Sequence, residues 1–238
     1  MSDLRRFFVT NITSPLVIEG EEFFHAVNVL RIKESESIIV CDNSGYEYLA
    51  KVDKINKKNL TAIIEEKRLS DCEANEDVTL ICGYLKGDKT ELVVQKAVEL
   101  GVKKIVVFSS KFVSSYMNDN KLNRLKRVSI ESAKQCGRAI VPTILYADTF
   151  EQALTLGENS KNKLFACEFA TSNEVDFGSL SGSTAIVVGS EGGFSKEESE
   201  LAKNLGYKTV FLGKRILRAE TASIALISII MHSLGELN

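Results

Sequence analysis

Three stretches of this chain carry residue types that can do chemistry at a spacing that lets them act together. The first runs Val187-Val188-Gly189-Ser190-Glu191-Gly192-Gly193-Phe194-Ser195-Lys196-Glu197-Glu198. An apolar run ends at Gly189, a Gly-Gly pair follows, and a helical pattern begins. Ser195 and Glu198 stand at capping-box spacing, which marks where that helix starts. A strand, a glycine turn and a helix start form the arrangement in which parallel α/β proteins bind ligands, beyond the carboxyl ends of the strands. Glycine lets backbone come within hydrogen-bond range of a ligand and permits positive φ. Two readings fit: a tight turn that needs two glycines, or a backbone cradle.

The second stretch is Phe211-Leu212-Gly213-Lys214-Arg215-Ile216-Leu217-Arg218-Ala219-Glu220-Thr221-Ala222. It joins a strand pattern to the last helix. Three cations and a carboxylate surround the apolar pair Ile216-Leu217. Thr221 fits a helix N-cap, and Glu220 gains from the positive end of the dipole. Capping does not account for Lys214, Arg215 and Arg218, because cations gain nothing in front of a helix N-terminus. They are either solvated loop charges or groups that hold a ligand.

The third feature is a charge asymmetry. Residues 101–140 hold nine cations (Lys103, Lys104, Lys111, Lys121, Arg124, Lys126, Arg127, Lys134 and Arg138) against Asp119 and Glu131, in a chain whose net charge is −2. Such segregation points to an anionic partner, with a phosphate backbone as the obvious one. A solvated helix face is the competing explanation. The few acidic residues within the segment favour a nucleic acid.

Several chemistries are excluded by what these stretches lack. There is no G-x-x-x-x-G-K-[ST] loop and no G-x-G-x-x-G, so neither a P-loop nor a dinucleotide fingerprint has support. No G-x-S-x-G appears, so a serine-hydrolase triad lacks its nucleophile turn. The five cysteines form no C-x-x-C pair and His25 lies far from His232, which argues against a metal site and against a disulfide framework.

The elements that must position these residues fall into two groups. The first seventy residues read as short strands with one helical piece. Arg6–Val9 is a strand, and Glu21–Leu30 is a helix with Phe24, Val27 and Leu30 on one side. Ser37–Cys41 and Tyr46–Val52 form a hairpin around Asp42-Asn43-Ser44-Gly45, and Leu60–Ile64 is a further strand. Charge peaks over Glu65–Asp77, which places a domain boundary there, with residues 1–72 on one side and 73–238 on the other. From Val78 strands alternate with helices. Strands are expected over Val78–Gly83, Ile105–Phe108, Leu164–Cys167, Ala185–Gly189 and Thr209–Leu212. Helices are expected over Thr90–Leu100, Lys121–Cys136, Phe150–Leu156, Lys196–Leu205 and Thr221–Leu234. This order implies a mostly parallel sheet covered on both faces.

With 238 residues, 44% hydrophobic and 26% charged, the chain can bury one large core or two modest ones. The apolar run Ala222–Met231 is far below the ~20 residues that span a bilayer. The first residues have no apolar stretch of signal length. A soluble, cytoplasmic protein is the expectation, and an odd cysteine count fits a reducing compartment.

In this order the motifs resemble one known family. Gly189-Ser190-Glu191-Gly192-Gly193, followed by Leu212-Gly213-Lys214-Arg215-Ile216-Leu217-Arg218-Ala219-Glu220-Thr221-Ala222, is similar to the paired signature of the ribosomal RNA small subunit methyltransferase E family, of the SPOUT class. Gly83-Tyr84-Leu85-Lys86-Gly87-Asp88-Lys89 and Gln95-Lys96-Ala97-Val98-Glu99-Leu100-Gly101-Val102 resemble its first strand and helix. Glu131-Ser132-Ala133-Lys134-Gln135-Cys136-Gly137-Arg138 with Pro142 resembles its central helix, and His25 with Val29-Leu30-Arg31 its N-terminal domain. Ser190 and Lys214 stand where the family has prolines, Ser110-Lys111 where it has Glu-Arg, and Leu125 in place of an aromatic.

The resemblance implies a small β-rich PUA-like domain followed by an α/β domain with a trefoil knot. It also implies a homodimer, and S-adenosylmethionine held by Gly189, Glu191, Gly192, Gly193, Leu212, Gly213, Ile216 and Leu217. The implied reaction is methylation of uracil N3 at one uridine of 16S ribosomal RNA, without a metal. N3 carries a proton and is a poor nucleophile until it loses it. Arg218 is then the expected stabiliser of charge on a uracil oxygen, and Glu220 the expected proton acceptor. Arg6, Arg31, Lys111, Arg124, Arg127 and Arg138 are the expected RNA contacts. A related methyltransferase acting on another RNA such as tRNA, and a non-enzymatic RNA-binding assembly factor, are the alternatives.

Overall fold

The computed structural model describes residues 4–109, 117–167 and 170–237. The chain divides into two units, Met1–Glu73 with Ala133–Val141, and Ala74–Ser132 with Pro142–Asn238.

The first unit contains β1 (Arg6–Phe8), β2 (Leu16–Glu19), α1 (Gly20–Phe24), a π-helix (His25–Val29), β3 (Ser37–Cys41), β4 (Tyr46–Ile55) and β5 (Asn59–Leu69). These strands form one sheet in the order β1-β3-β4-β5-β2. β1 runs parallel to β3, and the other pairs are antiparallel. The expected hairpin is present, with Ser37 opposite Lys51 and Cys41 opposite Glu47. Phe7, Leu16, Ile18, Val40, Ala50, Val52 and Leu60 build the core. β2 escapes sequence reading because only Leu16 and Ile18 of its four residues are buried, too short a pattern to stand out.

The helix expected over Glu21–Leu30 is corrected. The helical turn gives way at His25 to wider winding, in which the Leu30 N–H donates to the His25 carbonyl at 3.0 Å. An i→i+5 turn shifts the phase of the faces. Ala26 points inward, while Phe24 is left 62% exposed.

Residues 133–141 complete this unit. Arg138, 2% exposed, donates Nε and Nη2 to Glu73 Oε2 at 3.0 and 2.9 Å. The other oxygen of Glu73 accepts the N–H groups of Ala139 and Ile140 at 2.8 and 2.9 Å. Burying the Arg138 guanidinium is tolerable because it is paired with a carboxylate that is hydrogen-bonded on both oxygens.

The second unit contains β6 (Val78–Gly83), α2 (Lys89–Glu99), β7 (Lys104–Phe108), α3 (Asp119–Cys136, whose last turn belongs to the first unit), β8 (Thr143–Ala147), α4 (Phe150–Thr155), β9 (Asn162–Ala166), β10 (Thr184–Val188), α5 (Lys196–Asn204), β11 (Lys208–Val210) and α6 (Ala219–Ser233). Its six strands lie in the order β11-β9-β10-β6-β7-β8, and each pairing is parallel. The α/β class with a parallel sheet is as the alternating pattern implied. Every residue of β6 and β10 is buried, as befits strands covered on both faces. Phe108, Phe150, Phe165 and Phe194 cluster with α4 and α5. α2 packs against α6, and α6 against β10. β8 has no regular alternation of burial, which is why sequence reading passed over it. Among the described residues, no helix is long and apolar enough to cross a membrane.

Candidate functional site

The glycine turn is built by three local devices. β10 delivers the chain to Gly189, where a Cβ would stand 2.9 Å from the Phe194 ring. The Gly193 N–H donates to the Ser190 carbonyl at 3.0 Å, and Gly193 takes φ +66°, a conformation that favours glycine. Phe194 then turns inward, 4% exposed, with its ring centroid 4.5 Å from that of Phe165. The capping box exists as expected. The Glu198 N–H donates to Ser195 Oγ at 3.1 Å, and the Ser195 N–H to Glu198 Oε2 at 2.8 Å.

The second loop leaves β11 beside the chain at residues 173–174. The Thr209 N–H donates to Glu174 Oε2 and the Phe211 N–H to Asn173 Oδ1, both at 2.7 Å. That backbone bond holds the Glu174 carboxyl below its usual range. At Gly213 φ is +96°, and a Cβ there would meet nothing within 4 Å, so the glycine serves the turn and not the packing. Lys214, Arg215 and Arg218 are exposed, and Ile216 is 99% exposed. The N-cap of α6 is Arg218, with no side-chain cap, so the expected capping role of Thr221 is corrected: the helix begins at Ala219.

Both loops face one cleft of about 610 Å³ at the carboxyl ends of β9, β10 and β11. Gly189, Glu191, Gly192, Gly193, Leu212, Gly213, Ile216 and Leu217 all line it, as does Arg218. The volume falls within the ~300–1,000 Å³ common to small-molecule sites. Glycine backbone together with Val188, Leu212, Leu217 and Ala222 gives it both hydrogen-bonding and apolar lining.

Two builders of the site escaped sequence reading. Gly83, at the end of β6, lies so close to the turn that a Cβ would be 2.5 Å from the Ser190 nitrogen. Lys89, in the first turn of α2, lines the cleft and reaches Glu191 Oε1 at 3.3 Å and Glu220 Oε1 at 3.7 Å. Glu191 Oε1 also accepts the Lys86 N–H at 3.1 Å. Partial burial pushes the Glu191 carboxyl up, but its own N–H, that of Lys86 and the Lys89 ammonium outweigh burial and hold it below the usual 4.5. Glu220 Oε2 is buried with no hydrogen-bond partner among the described residues. The stretch Gly83–Lys89 gives no sign that either end meets the site, because their partners lie about a hundred residues or more away.

The cations expected to meet RNA have divided fates. Arg6 is buried, with Nη2 2.7 Å from Glu47 Oε1 and Nη1 donating to Cys41 Sγ at 3.1 Å. Burial pushes that thiol up to about 11 despite the guanidinium. Arg138 is held by Glu73 as above. Arg6 and Arg138 are therefore engaged inside the protein, and the expectation of outward contacts is corrected for both. Arg124 pairs with Glu91 at 2.8 Å while staying half exposed. Arg31, with φ +55°, and Arg127 are exposed. Lys111 lies outside the described residues. Lys103 and Lys134 pair with Asp77 and Glu22 at 2.8 and 2.7 Å. The acidic partners that the basic segment lacks are supplied from distant parts of the sequence.

Comparisons with known proteins give the family of the chain. A family model described as an RNA methyltransferase domain matches residues 72–231, and an RNA methyltransferase PUA domain model matches residues 18–65. Ribosomal RNA small subunit methyltransferase E of Mesomycoplasma hyopneumoniae is 34% identical over 226 residues, covering 94% of this chain and 97% of that one. The Bacillus subtilis protein of the same name is 30% identical over 230 residues, covering 90% of this chain and 89% of that one. A crystal structure of the Neisseria gonorrhoeae protein of that name, bound to S-adenosyl methionine, superposes with a TM-score of 0.85 at 29% identity, covering 97% of this chain and 98% of that one.

Proposed function

This chain belongs to the ribosomal RNA small subunit methyltransferase E family, and we propose that it uses S-adenosylmethionine to methylate N3 of one uridine in 16S ribosomal RNA. The observation that carries the reading is the convergence of both loops on one cleft in the same fold as a relative solved with that cofactor. When bound, S-adenosylmethionine supplies an electrophilic methyl carbon on a sulfonium.

The residues present fit such a ligand. Leu212, Gly213, Ile216 and Leu217 offer backbone groups and apolar surface to an adenine. Gly189, Glu191, Gly192 and Gly193 offer backbone to the ribose and the amino-acid tail. Gly213 at φ +96° turns its loop without a Cβ intruding.

Arg218, exposed at the rim, stabilises negative charge as it develops on a uracil carbonyl oxygen. Glu220, two residues on, is the acceptor of the N3 proton in this reading, although it stands outside the residues that line the cleft and its Oε2 is buried. Substrate nucleophile and methyl carbon must lie in line, so the two loops contribute chiefly by positioning. A uridine in a folded RNA reaches the cleft only when unstacked. Arg31, Lys111, Arg124 and Arg127 hold the flanking phosphates. The reading places the protein in the cytoplasm with its substrate and takes it as a homodimer. α6 supports the dimer, leaving Ile224 and Ala225 half-buried and Ile229 39% exposed.

The test is to incubate purified protein with methyl-labelled S-adenosylmethionine and small subunits or 16S rRNA from a strain lacking the gene, then digest and identify the product by mass spectrometry. One 3-methyluridine per rRNA is the expected result. Label in tRNA alone, at another atom, or nowhere would overturn the reading.

A further inference from the structure

We infer that Lys89 is a positioning residue for the methyl transfer proposed above, tying the glycine turn to the first turn of α6 through Glu191 and Glu220. The inference rests on that proposed reaction for its role in catalysis, but the tie itself stands on geometry. Three elements meet at one ammonium: the start of α2, the turn after β10, and the start of α6.

Lys89 sits in an electrostatically poor place, at the first position of a helix, where the dipole repels a cation. Two carboxylates offset this from other parts of the chain. Stability alone gives little reason for the arrangement, because Lys89 and Glu191 are 35% and 33% exposed and such ion pairs contribute little. The two carboxylates differ in how they are held. Glu191 is also fixed by the Lys86 N–H at 3.1 Å, so it anchors the lysine. Glu220 meets the lysine through Oε1 at 3.7 Å, while Oε2 is buried without a partner among the described residues. Buried polar atoms are nearly always paired, so one left without a hydrogen bond at the start of α6 calls for a role. With Oε1 beside Lys89, the carboxylate takes its orientation from the same ammonium that holds the glycine turn.

The consequence is a specific pattern of loss. Cutting the tie keeps the fold of both loops but loosens them and frees Glu220 to turn. A displacement of 1 Å at a reacting group costs about 10²-fold in rate. Lys89→Met should therefore lower the single-turnover rate at saturating S-adenosylmethionine and RNA by about 100-fold. Its dissociation constant for S-adenosylmethionine, read by calorimetry, should rise by less than about tenfold, the mark of an interaction used in the transition state. Lys89→Arg keeps a cation at the same place and should recover most of the rate.

A second readout does not depend on turnover. Amide hydrogen exchange at residues 189–193 and 219–222 should speed up together in Lys89→Met, stay near wild type in Lys89→Arg, and speed up again in Glu220→Gln. Unchanged exchange in Lys89→Met overturns the tie, even if the enzyme is active. Equal loss of rate and affinity, with Arg no better than Met, overturns the positioning role. A wild-type protein that transfers no methyl group to RNA refutes the proposed reaction, while the exchange experiment still decides whether Lys89 joins the two loops.

Discussion

The ring of Phe194 rests against the backbone of Gly189, leaving a gap that a single added methyl group would close to 2.9 Å. The contact joins the aromatic core to the glycine turn, because Phe194 also packs on Phe165 and Phe150. Gly189→Ala should therefore push the ring and the turn apart. Overpacking of this kind costs about 1–3 kcal/mol. We expect a lower urea midpoint and weaker S-adenosylmethionine binding together in calorimetry.

Gly213→Ala tests the other loop by a different route. Here the space is open and only the backbone conformation, φ +96°, resists a side chain. Strain at such a position is worth about 1–3 kcal/mol. Because the loop is exposed, relief by local rearrangement should leave the unfolding midpoint nearly unchanged while cofactor affinity falls. A fall in both by the same measure would show that the loop is part of the cooperative core.

Arg218→Ala should separate binding from chemistry. Arg218 is exposed at the cleft rim, and its backbone carbonyl, not its side chain, serves α6 by accepting the Ala222 N–H at 2.8 Å. Turnover should drop by about 10²-fold or more, with little change in cofactor affinity. Equal losses in both would contradict a role confined to the transition state.

The arginines should sort into two classes under substitution. Arg127→Ala should weaken RNA binding and reduce the dependence of affinity on salt by about one unit of slope. Arg138→Ala removes a buried guanidinium and leaves the largely covered Glu73 without its cation, at a cost of up to about 3–5 kcal/mol. Its effect should appear in the denaturation curve and not in the salt slope.

Acid sensitivity should trace to Glu47. Burial raises its carboxyl, but Arg68 and Arg6 lower it further, so it titrates below the usual 4.5. The unfolded chain then takes up the proton more readily than the folded one. The stability this group contributes is complete above the unfolded value and is lost as pH falls through the folded value. Wild type should weaken more steeply below about pH 4.5 than Glu47→Gln when unfolded by urea.

What could be read from sequence was whatever depends on near neighbours. The capping box of Ser195 and Glu198 was legible because its two halves are three residues apart. The Gly192-Gly193 turn and the strand before it were legible for the same reason. The phase at Phe24 is not legible, since nothing in the residue pattern announces the switch to wider winding at His25. The basic segment misled most. Lys103, Arg124, Lys134 and Arg138 look unmatched in sequence, yet Asp77, Glu91, Glu22 and Glu73 meet them in space. Lys89 and Gly83 were invisible as site residues because only the sheet order brings β6 and α2 beside the turn that follows β10.

The segment from Ala133 to Val141 has a bearing on how this protein can be dissected. It belongs to the N-terminal unit, although some sixty residues of the other unit precede it in the chain. A gene fragment cut after residue 73 would encode every strand of the β sheet and still omit the arginine that neutralises Glu73. The two halves are thus not interchangeable modules, and expression of the N-terminal half calls for a graft of that strap, not a simple truncation.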